Sequence, residues 1–391
     1  MADGSAGTSV AKYVGYKISR VRWKPQPSGA IRPSDVFVAG SWDDKVNRVA
    51  VWRYDPSAPP SPPSSPSAPY PSEEGFVEPA RVCEVGVEGD VMDLRFVDEE
   101  RMAVGLSSGS VALLHFRAPQ KTITRSRQWD RIHYITTRLQ PRPVTAVATS
   151  GLTIATGGED GRINILHPEN SAPLRTIENA DNAVVTGLVS TMKTELLATS
   201  SSGQLKLWDL RAPSVETPSR IMVISGDSHP LRCLDRCPNQ PHLVAVGRSN
   251  GTVCLWDLRQ DKLPVSILSG HTADIWEIQF HRHHPNHLFT CSQDCTLWHW
   301  DASPPSPSLS SSLLTSSRLS HRHNPPSSHR ATDHAPNSTP WLSGHVKQGK
   351  FDVTYLLHDK LPVNSFDVES KHVVCGTDSE MLFLVPNLTF R

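Results

Sequence analysis

The sequence predicts an all-β protein built from small antiparallel sheets, because one pattern recurs along most of its 391 residues. Each copy is an apolar run, a two-residue turn and an alternating run that ends near Trp-Asp, as in LVAVGRSNGTVCLWD at 243–257. The composition agrees, since 33 Pro and 23 Gly suit many short strands and turns better than long helices. The seven copies lie at 37–54, 103–115, 154–167, 196–209, 243–257, 288–301 and 373–385.

The turn inside each copy indicates a hairpin. Asp-Gly and Asn-Gly pairs favour tight turns because such turns need a positive φ. From Ser108 to Asp294 the turns follow one another at intervals of 42 to 52 residues. The expected turn pairs are Asp43-Asp44, Ser108-Gly109, Asp160-Gly161, Ser202-Gly203, Asn250-Gly251, Asp294-Cys295 and Asp378-Ser379.

A further apolar strand precedes most copies, so each unit is predicted to be a small sheet with more strands than one hairpin. Examples are VMDLRF at 91–96, LRCLDR at 231–236 and VNSFDV at 363–368. A lone sheet of this kind has apolar faces that it cannot bury, and the units must therefore stack on one another.

Charge and cysteine content exclude several classes of protein. The chain has 39 basic and 39 acidic residues, which argues against a strongly basic surface for nucleic acid or an acidic membrane. No secretory segment opens the sequence, and no apolar run reaches eighteen residues. Seven scattered cysteines suggest reduced thiols in a soluble intracellular protein. We expect no cofactor, no direct nucleic-acid contact and no membrane insertion, since no phosphate loop, paired acid and base or metal cluster stands out.

The Trp-Asp endings and the period resemble the WD repeats, which form β-propeller blades. The resemblance implies that residues 1–391 form a single seven-bladed propeller domain, and that the ring closes by pairing of the N- and C-terminal strands. Residues 12–17, KYVGYK, are the expected closing strand. The blades are expected at about 17–86, 90–130, 143–178, 183–224, 229–268, 273–303 with 341–358, and 361–388 with 12–17.

The resemblance also implies a structural polar set in one blade. WD repeats join a His before the blade, a Ser or Thr, a turn Asp and the terminal Trp by hydrogen bonds. The matching residues are His271, Ser292, Asp294 and Trp300. We interpret them as a structural staple in which each bond contributes about 1 kcal/mol. The alternative, a Ser-His-Asp catalytic triad, is disfavoured.

The same stretch contains Cys291, Cys295 and His299 at four-residue steps, a spacing that invites a zinc interpretation. A structural zinc site needs four ligands, and no second pair follows at a normal distance. The repeat alignment places these residues at the turn and core positions of a blade, where a small buried thiol is ordinary. Core positions are therefore the favoured interpretation.

Two segments differ in composition from the repeats. Residues 56–72 and 303–340 are rich in Ser and Pro and have too little apolar area to offset the entropy of ordering, so both are predicted to be disordered inserts. Their Ser-Pro pairs suit either proline-directed phosphorylation or an inert spacer. Trp341 follows the second insert and either re-anchors the chain or is an exposed docking aromatic.

Several stretches resemble a particular family, the small seven-bladed WD-repeat nucleoporins of the Y-shaped outer-ring scaffold of the nuclear pore. They include KISRVRWKPQP at 17–27, RTIENAD at 175–181 and HLFTCSQDCTLWHWDAS at 287–303. This resemblance implies a non-enzymatic scaffold in the nucleus, at the nuclear envelope and the nuclear pore complex. The implied partners are other nucleoporins of the Y complex, namely the helical short-arm nucleoporin and its small propeller partner.

A second function remains open at this point, that of a substrate receptor for a cullin-RING ubiquitin ligase. WD proteins that bind the ligase adaptor often carry Trp-Asp-x-Arg at a blade end, where the Arg presents a planar charged fork. Trp and Asp belong to the repeat in any case, and the Arg can simply pair with a neighbouring Asp. The two motifs are Trp208, Asp209, Arg211 and Trp256, Asp257, Arg259.

Overall fold

The computed structural model describes residues 9–27, 29–55, 77–135, 137–192, 194–212, 216–224, 226–260, 263–304 and 339–390. The first predicted insert, 56–72, lies outside the described residues. So does 305–338, the greater part of the second insert.

Seven four-stranded antiparallel sheets make up the described chain, and we number them blades 1 to 7 in chain order. The innermost strands are β2 (Ile18–Trp23), β6 (Val91–Phe96), β12 (Val144–Ser150), β16 (Val185–Met192), β20 (Leu231–Arg236), β24 (Ile275–Phe280) and β28 (Val363–Glu369). The second strands are β3 (Val36–Ser41), β7 (Arg101–Leu106), β13 (Thr153–Gly158), β17 (Glu195–Ser200), β21 (Leu243–Arg248), β25 (His287–Ser292) and β29 (His372–Thr377). The third strands are β4 (Asn47–Arg53), β8 (Val111–Arg117), β14 (Ile163–Leu166), β18 (Leu205–Asp209), β22 (Thr252–Asp257), β26 (Thr296–Asp301) and β30 (Met381–Val385). The outermost strands are β5 (Ala80–Val87), β9 (Thr122–Trp129), β15 (Arg175–Ile177), β19 (Arg220–Met222), β23 (Ser266–Ser269), β27 (Asp352–His358) and, in blade 7, β1 (Val10–Tyr13).

The innermost strands meet in the cyclic order β2, β6, β12, β16, β20, β24, β28 and again β2, so the blades form a closed ring. Closure depends on β1, which pairs antiparallel with β30 from Val10 opposite Leu384 to Tyr13 opposite Met381. The predicted seven-bladed propeller with paired terminal strands is therefore confirmed. The closing strand is Val10–Tyr13 and not 12–17, because the chain turns at Gly15, where φ is +80°, before it enters blade 1.

Adjacent blades approach each other closely where a small residue lies near the end of the second strand. A Cβ on Gly40, Gly157 or Gly376 would come within 2.3 to 2.5 Å of the first residue of the next innermost strand. Cys291 occupies the corresponding place in blade 6, opposite Leu297 on β26, and is fully buried. The thiol therefore fills a contact between blades, in agreement with its interpretation as a core residue.

The hairpin turns share one position with a positive φ. Gly109, Gly161, Gly203 and Gly251 have φ between 73° and 80°, and Cys295 takes the same conformation with φ of 70°. In blade 7 the residue with positive φ is Glu380, so the turn pair there is Ser379-Glu380 and the predicted pair Asp378-Ser379 is wrong by one residue. The Asp378 carboxylate instead accepts hydrogen bonds from Trp42 and Asn364.

Three short elements lie outside the blades. A ribbon of β10 (Tyr134–Ile135) and β11 (Gln140–Pro141) connects blades 2 and 3. A 3-10 turn (Pro340–Leu342) and the four-residue helix α1 (Gly344–Lys347) precede β27. Trp341 in this turn is fully buried, donates its indole N–H to the Pro285 carbonyl over 2.8 Å and packs on Phe280. Trp341 therefore anchors the chain where it returns from the second insert.

Candidate functional site

The predicted polar set of blade 6 is a buried chain of hydrogen bonds that runs through Thr290. The indole N–H of Trp300 donates to the Thr290 hydroxyl over 2.8 Å, and the same hydroxyl lies 2.8 Å from His271 Nε2. An indole N–H can only donate, so the Thr290 hydroxyl keeps its own proton and donates it to Nε2 of His271. The other ring nitrogen of His271, Nδ1, then carries a proton and donates to Asp294, 2.9 Å away. The chain thus joins the loop before the blade, the second strand, the turn and the third strand.

Ser292 is not a member of this chain, and the prediction that it bridges His271 and Trp300 is corrected. Its hydroxyl donates to the Ala273 carbonyl over 3.3 Å and accepts from the backbone N–H of Asp294 over 3.1 Å. Residues two apart lie on the same face of a strand, but Ser292 ends β25 next to the turn, whereas Thr290 lies two residues nearer the indole. The resemblance to WD repeats gave the right residue type but the wrong position.

The ionisation of Asp294 shows how strongly the set is held. Burial opposes the charged form, but hydrogen bonds from His271, Thr296 and the backbone of Thr272 outweigh it and hold the pKa of Asp294 well below its usual value. The His271 side chain is fully enclosed. An imidazole without solvent access cannot exchange protons with a substrate, so this His, Asp and hydroxyl arrangement stabilises the blade.

Blade 3 contains a second set of the same kind, which the sequence reasoning missed. His133 bonds to Asp160 over 2.9 Å through Nδ1 and to Thr156 over 3.0 Å through Nε2. Asn164 lies 3.2 Å from the same Nε2. The ribbon between blades 2 and 3 displaces His133 from its usual distance before the blade. The usable signal was the Thr four residues before the turn Asp, which is also the spacing of Thr290 and Asp294.

In blades 4, 5 and 7 an aspartate occupies the place of His271, four residues before the first residue of the innermost strand. Asp181 pairs with Lys206 over 2.9 Å, Asp227 pairs with Arg248, and Asp359 accepts from Ser379. Each acid reaches the turn or the strands of its own blade, as His271 does. The residue four before the innermost strand therefore links the entry loop to the hairpin in these blades, through either an imidazole or a carboxylate.

Cys291, Cys295 and His299 do not converge on a common point. Cys291 is buried between blades, and burial raises the pKa of its thiol well above the usual value. Cys295 lies in the turn, and His299 stacks on Phe289 with ring centroids 4.7 Å apart. Among the residues that the structure describes, no group of three or more His, Cys, Asp or Glu could hold a metal ion. Within the same part of the chain, no helix is long and apolar enough to cross a membrane.

Charged residues on the innermost strands form a buried network around the axis of the ring. Arg22 donates to Glu277 over 2.5 Å and lies 3.5 Å from Asp93, which also accepts from Arg20 over 3.3 Å. Burial opposes ionisation of Asp93 and Glu277, but the neighbouring arginines outweigh it and lower the pKa of both carboxyls. The network therefore keeps both acids charged in the interior of the ring.

Carboxylates of this network also satisfy backbone groups across the gaps between blades. Asp93 accepts the N–H of Val147 over 2.8 Å, and Asp367 accepts the N–H of Trp23 over 2.7 Å. An innermost strand has no sheet partner on its inner edge, so its N–H groups need another acceptor. Bonds of this kind link blade 2 to blade 3 and blade 7 to blade 1.

The two Trp-Asp-x-Arg motifs lie at the ends of β18 and β22. Trp208 and Trp256 are buried, and their indole nitrogens have no hydrogen-bond partner in the described structure. The hydroxyl of Thr290 has no counterpart in these blades, because Ala198 and Val246 occupy its register position. The tryptophans of blades 4 and 5 therefore pack in the core but take no part in a hydrogen-bonded staple.

Each motif arginine folds back onto the aspartate two residues before it. The Arg211 fork donates to Asp209 over 3.0 and 2.8 Å, and the Arg259 fork donates to Asp257 over 2.9 and 2.7 Å. The hydrogen bond from Arg211 lowers the pKa of Asp209 to about 2. Both forks are thus engaged within the chain, although both side chains remain more than 60% exposed. This is the pairing with a neighbouring Asp that the sequence left open.

The fold and the staple can be compared with known proteins. The closed ring and the Trp-containing blade staple define a WD-repeat β-propeller, and the model of the WD domain, G-beta repeat family matches residues 218–257 and 262–301. Human nucleoporin Nup43 is 38% identical over 384 residues, which cover 97% of this chain and 98% of that protein. Nucleoporin Nup43 of Mus musculus is 37% identical with the same coverage. Nuclear pore complex protein nup43 of Dictyostelium discoideum is 29% identical over 143 residues, 36% of this chain and 33% of that protein.

The chain belongs to the Nup43 family of nucleoporins. The predicted resemblance to a WD-repeat nucleoporin is therefore confirmed, and so is the predicted location at the nuclear pore complex.

Proposed function

We propose that this protein is a non-enzymatic structural subunit of the Y-shaped outer-ring complex of the nuclear pore. In this role it docks other nucleoporins and so supports nucleocytoplasmic transport. The observation that carries the proposal is the similarity to nucleoporins along nearly the whole chain, which spans the entire propeller.

The arrangement of polar groups supports a scaffold and not an enzyme. The His-Asp pairs of the two staples, in blades 3 and 6, are enclosed within their blades, and the side chains of His133 and His271 are fully buried. The acids around the axis are paired with arginines and with backbone N–H groups. These groups stiffen the ring, and a stiff ring with several outer faces is suited to holding partners in fixed positions.

The partners we propose are the helical short-arm nucleoporin and the small propeller associated with it. A stable contact would bury about 800 Å² on each partner. Conversely, the comparisons do not favour the cullin-RING receptor hypothesis, because the relatives that match along the whole chain are nucleoporins. The forks of Arg211 and Arg259 are also already engaged by Asp209 and Asp257.

Size-exclusion chromatography tests the proposal directly. The purified chain is mixed at ~10 µM, a concentration that detects interfaces of ordinary size and affinity, with the short-arm pair and separately with the cullin adaptor. We expect co-elution with the pair, and unchanged elution for an unrelated WD-repeat propeller used as the control. Separate elution from the pair, together with adaptor binding that Arg211→Ala and Arg259→Ala abolish, would overturn the proposal in favour of the ligase receptor.

A further inference from the structure

A dense run of positive charge lies on the rim of blade 2. Residues 117–142 contain seven of the 39 basic residues of the chain but only one of its 39 acidic residues. The composition of the whole chain hides this asymmetry, because acidic residues elsewhere balance the charge. We call this segment the basic stripe; its cations are Arg117, Lys121, Arg125, Arg127, Arg131, Arg138 and Arg142.

The stripe covers the whole height of the blade. Arg117 ends β8 and Lys121 lies in the following turn, at one end of the hairpin. Strand β9 carries Arg125 and Arg127 up the rim, and Arg131 follows at its other end. Eight strand residues extend over about 26 Å. Beyond β9 the chain enters the ribbon, whose turn carries Arg138.

Most of these cations have no acidic partner within the described structure. Among the seven, Arg142 makes the one ion pair found there, 3.8 Å from Glu159. Arg117, Lys121, Arg125, Arg131 and Arg138 are exposed, and the guanidinium of Arg125 reaches only the side-chain amide of Gln128. Elsewhere on the rim some cations do pair with acids, as Lys12 does with Glu78 and Arg81 with Glu84. Unpaired like charges along one strand repel each other, and an anionic partner would relieve that repulsion.

Strand β9 also offers a free edge. It is hydrogen-bonded to β8 on one side and has no strand partner on the other among the described residues. With eight residues it equals β5 in length and is longer than the three-residue outermost strands of blades 3 and 4. An unpaired edge of this length is a template for an added strand, and charged side chains beside it select the sequence of the strand that adds.

The surroundings of the stripe favour a narrow ligand. A groove beside Arg127 is also lined by Asp98, Glu99, Glu100 and Glu169. A broad polyanion laid on the rim would meet these carboxylates, whereas a single extended chain paired with the edge of β9 covers less of the rim. The described part of the stripe has no exposed large aromatic side chain on which nucleic-acid bases could stack.

We propose that the basic stripe is a docking surface for an extended acidic segment of a partner protein, which pairs with the free edge of β9 and with the cations beside it. The test of this docking surface uses the chain and a peptide alone, and it does not depend on binding of the short-arm pair. Failure of one proposal therefore leaves the other standing.

The test uses the full chain and a fluorescein-labelled peptide of twelve alternating Glu and Thr residues, followed by anisotropy at about 50 and about 300 mM salt. One variant carries Gln at Arg117, Lys121, Arg125, Arg131 and Arg138. The matched control variant carries Gln at five exposed cations elsewhere on the chain: Arg32, Lys45, Lys347, Lys350 and Lys371. Circular dichroism and the thermal midpoint verify that both variants are folded.

We expect the peptide to bind, to weaken at higher salt, and to lose at least about tenfold in affinity with the stripe variant but less than about twofold with the control. N-methylation of alternate peptide residues should weaken binding by a similar factor, because it removes the backbone pairing. Equal losses with both variants, or undiminished binding of the N-methylated peptide, would overturn the proposal. Tighter binding of a twelve-nucleotide single-stranded DNA than of the peptide would replace it with a nucleic-acid surface.

Discussion

At the scale of single residues, each blade staple satisfies several buried polar groups with one network of hydrogen bonds. Thr290 satisfies the buried nitrogens of both His271 and Trp300 with one hydroxyl. The turn carboxylate of Asp294 bonds to the other ring nitrogen of His271. Because His271, Thr290 and Trp300 are buried, the loss of one leaves its neighbours buried and without that partner, and this loss costs more than the bond itself contributes.

Thr290→Val keeps the shape of the side chain but removes the shared hydroxyl. We expect the free energy of unfolding to fall by about 2–3 kcal/mol, because two buried nitrogens lose their partner. Ser292→Ala is the control and should cost about 1 kcal/mol, since that hydroxyl bonds only to backbone groups. Urea denaturation followed by tryptophan fluorescence measures both. Equal costs for the two variants would contradict the placement of Thr290 in the chain.

The charge of Asp294 makes part of the stability depend on pH. Its folded pKa lies well below the ordinary value of 3.8, so its contribution is fully present above that value and declines as the pH falls further. The stability difference between the native chain and Asp294→Asn should therefore be largest near pH 7 and shrink at pH 3. Denaturation curves at the two pH values test this, and a difference that grows on acidification would refute it.

At the scale of elements, the repeat made the strands and hairpins predictable, because the alternation of apolar residues and the turn residues are local properties. The ribbon between blades 2 and 3 was not predictable in this way. Its two strands are two residues each, too short for any period. The same ribbon displaced His133 from the expected spacing and concealed the second staple. Ser292 was chosen over Thr290 because both lie on the same face of β25, and motif matching does not determine which of the two reaches the indole.

Trp341 shows that a short anchor can determine the path of the chain after a long insert. Trp341→Ala should lower the free energy of unfolding by about 3–5 kcal/mol, since a fully buried indole leaves a cavity and the Pro285 carbonyl loses its donor. Leu263→Ala provides the control at a side chain that is 60% exposed, with an expected change within about 0.5 kcal/mol. A Trp341 variant as stable as this control would argue against the anchor.

At the scale of the whole molecule, the ring is joined by side chains as well as by sheets. Strand β1 supplies the outermost strand of blade 7, and carboxylates such as Asp93 and Asp367 link one blade to the next. The resemblance to WD repeats predicted the ring closure. It did not predict the charged network on the axis, because the partners come from different blades and only the closed ring brings Arg22 next to Glu277.

Closure gives the terminal strand a larger role than its four residues suggest. Val10 is buried against the core shared by blades 7 and 1, and Val10→Asp would place an unpaired charge there. We expect the thermal midpoint to fall by several degrees, as befits a loss of about 2–4 kcal/mol in a chain of this size. Lys12→Ala, which removes a surface ion pair from the same strand, should leave the midpoint nearly unchanged. Similar midpoints for the two variants would show that β1 does not hold the ring closed.

The central claim, that the chain is a structural subunit of the outer-ring complex, is tested most directly by its stoichiometry in that complex. The Y complex is captured from cells through a tag on a different subunit, and each component is quantified by mass spectrometry. We expect this chain to be recovered in the same molar amount as the short-arm nucleoporin. Recovery at the level of untagged background, with the other subunits at full stoichiometry, would contradict it.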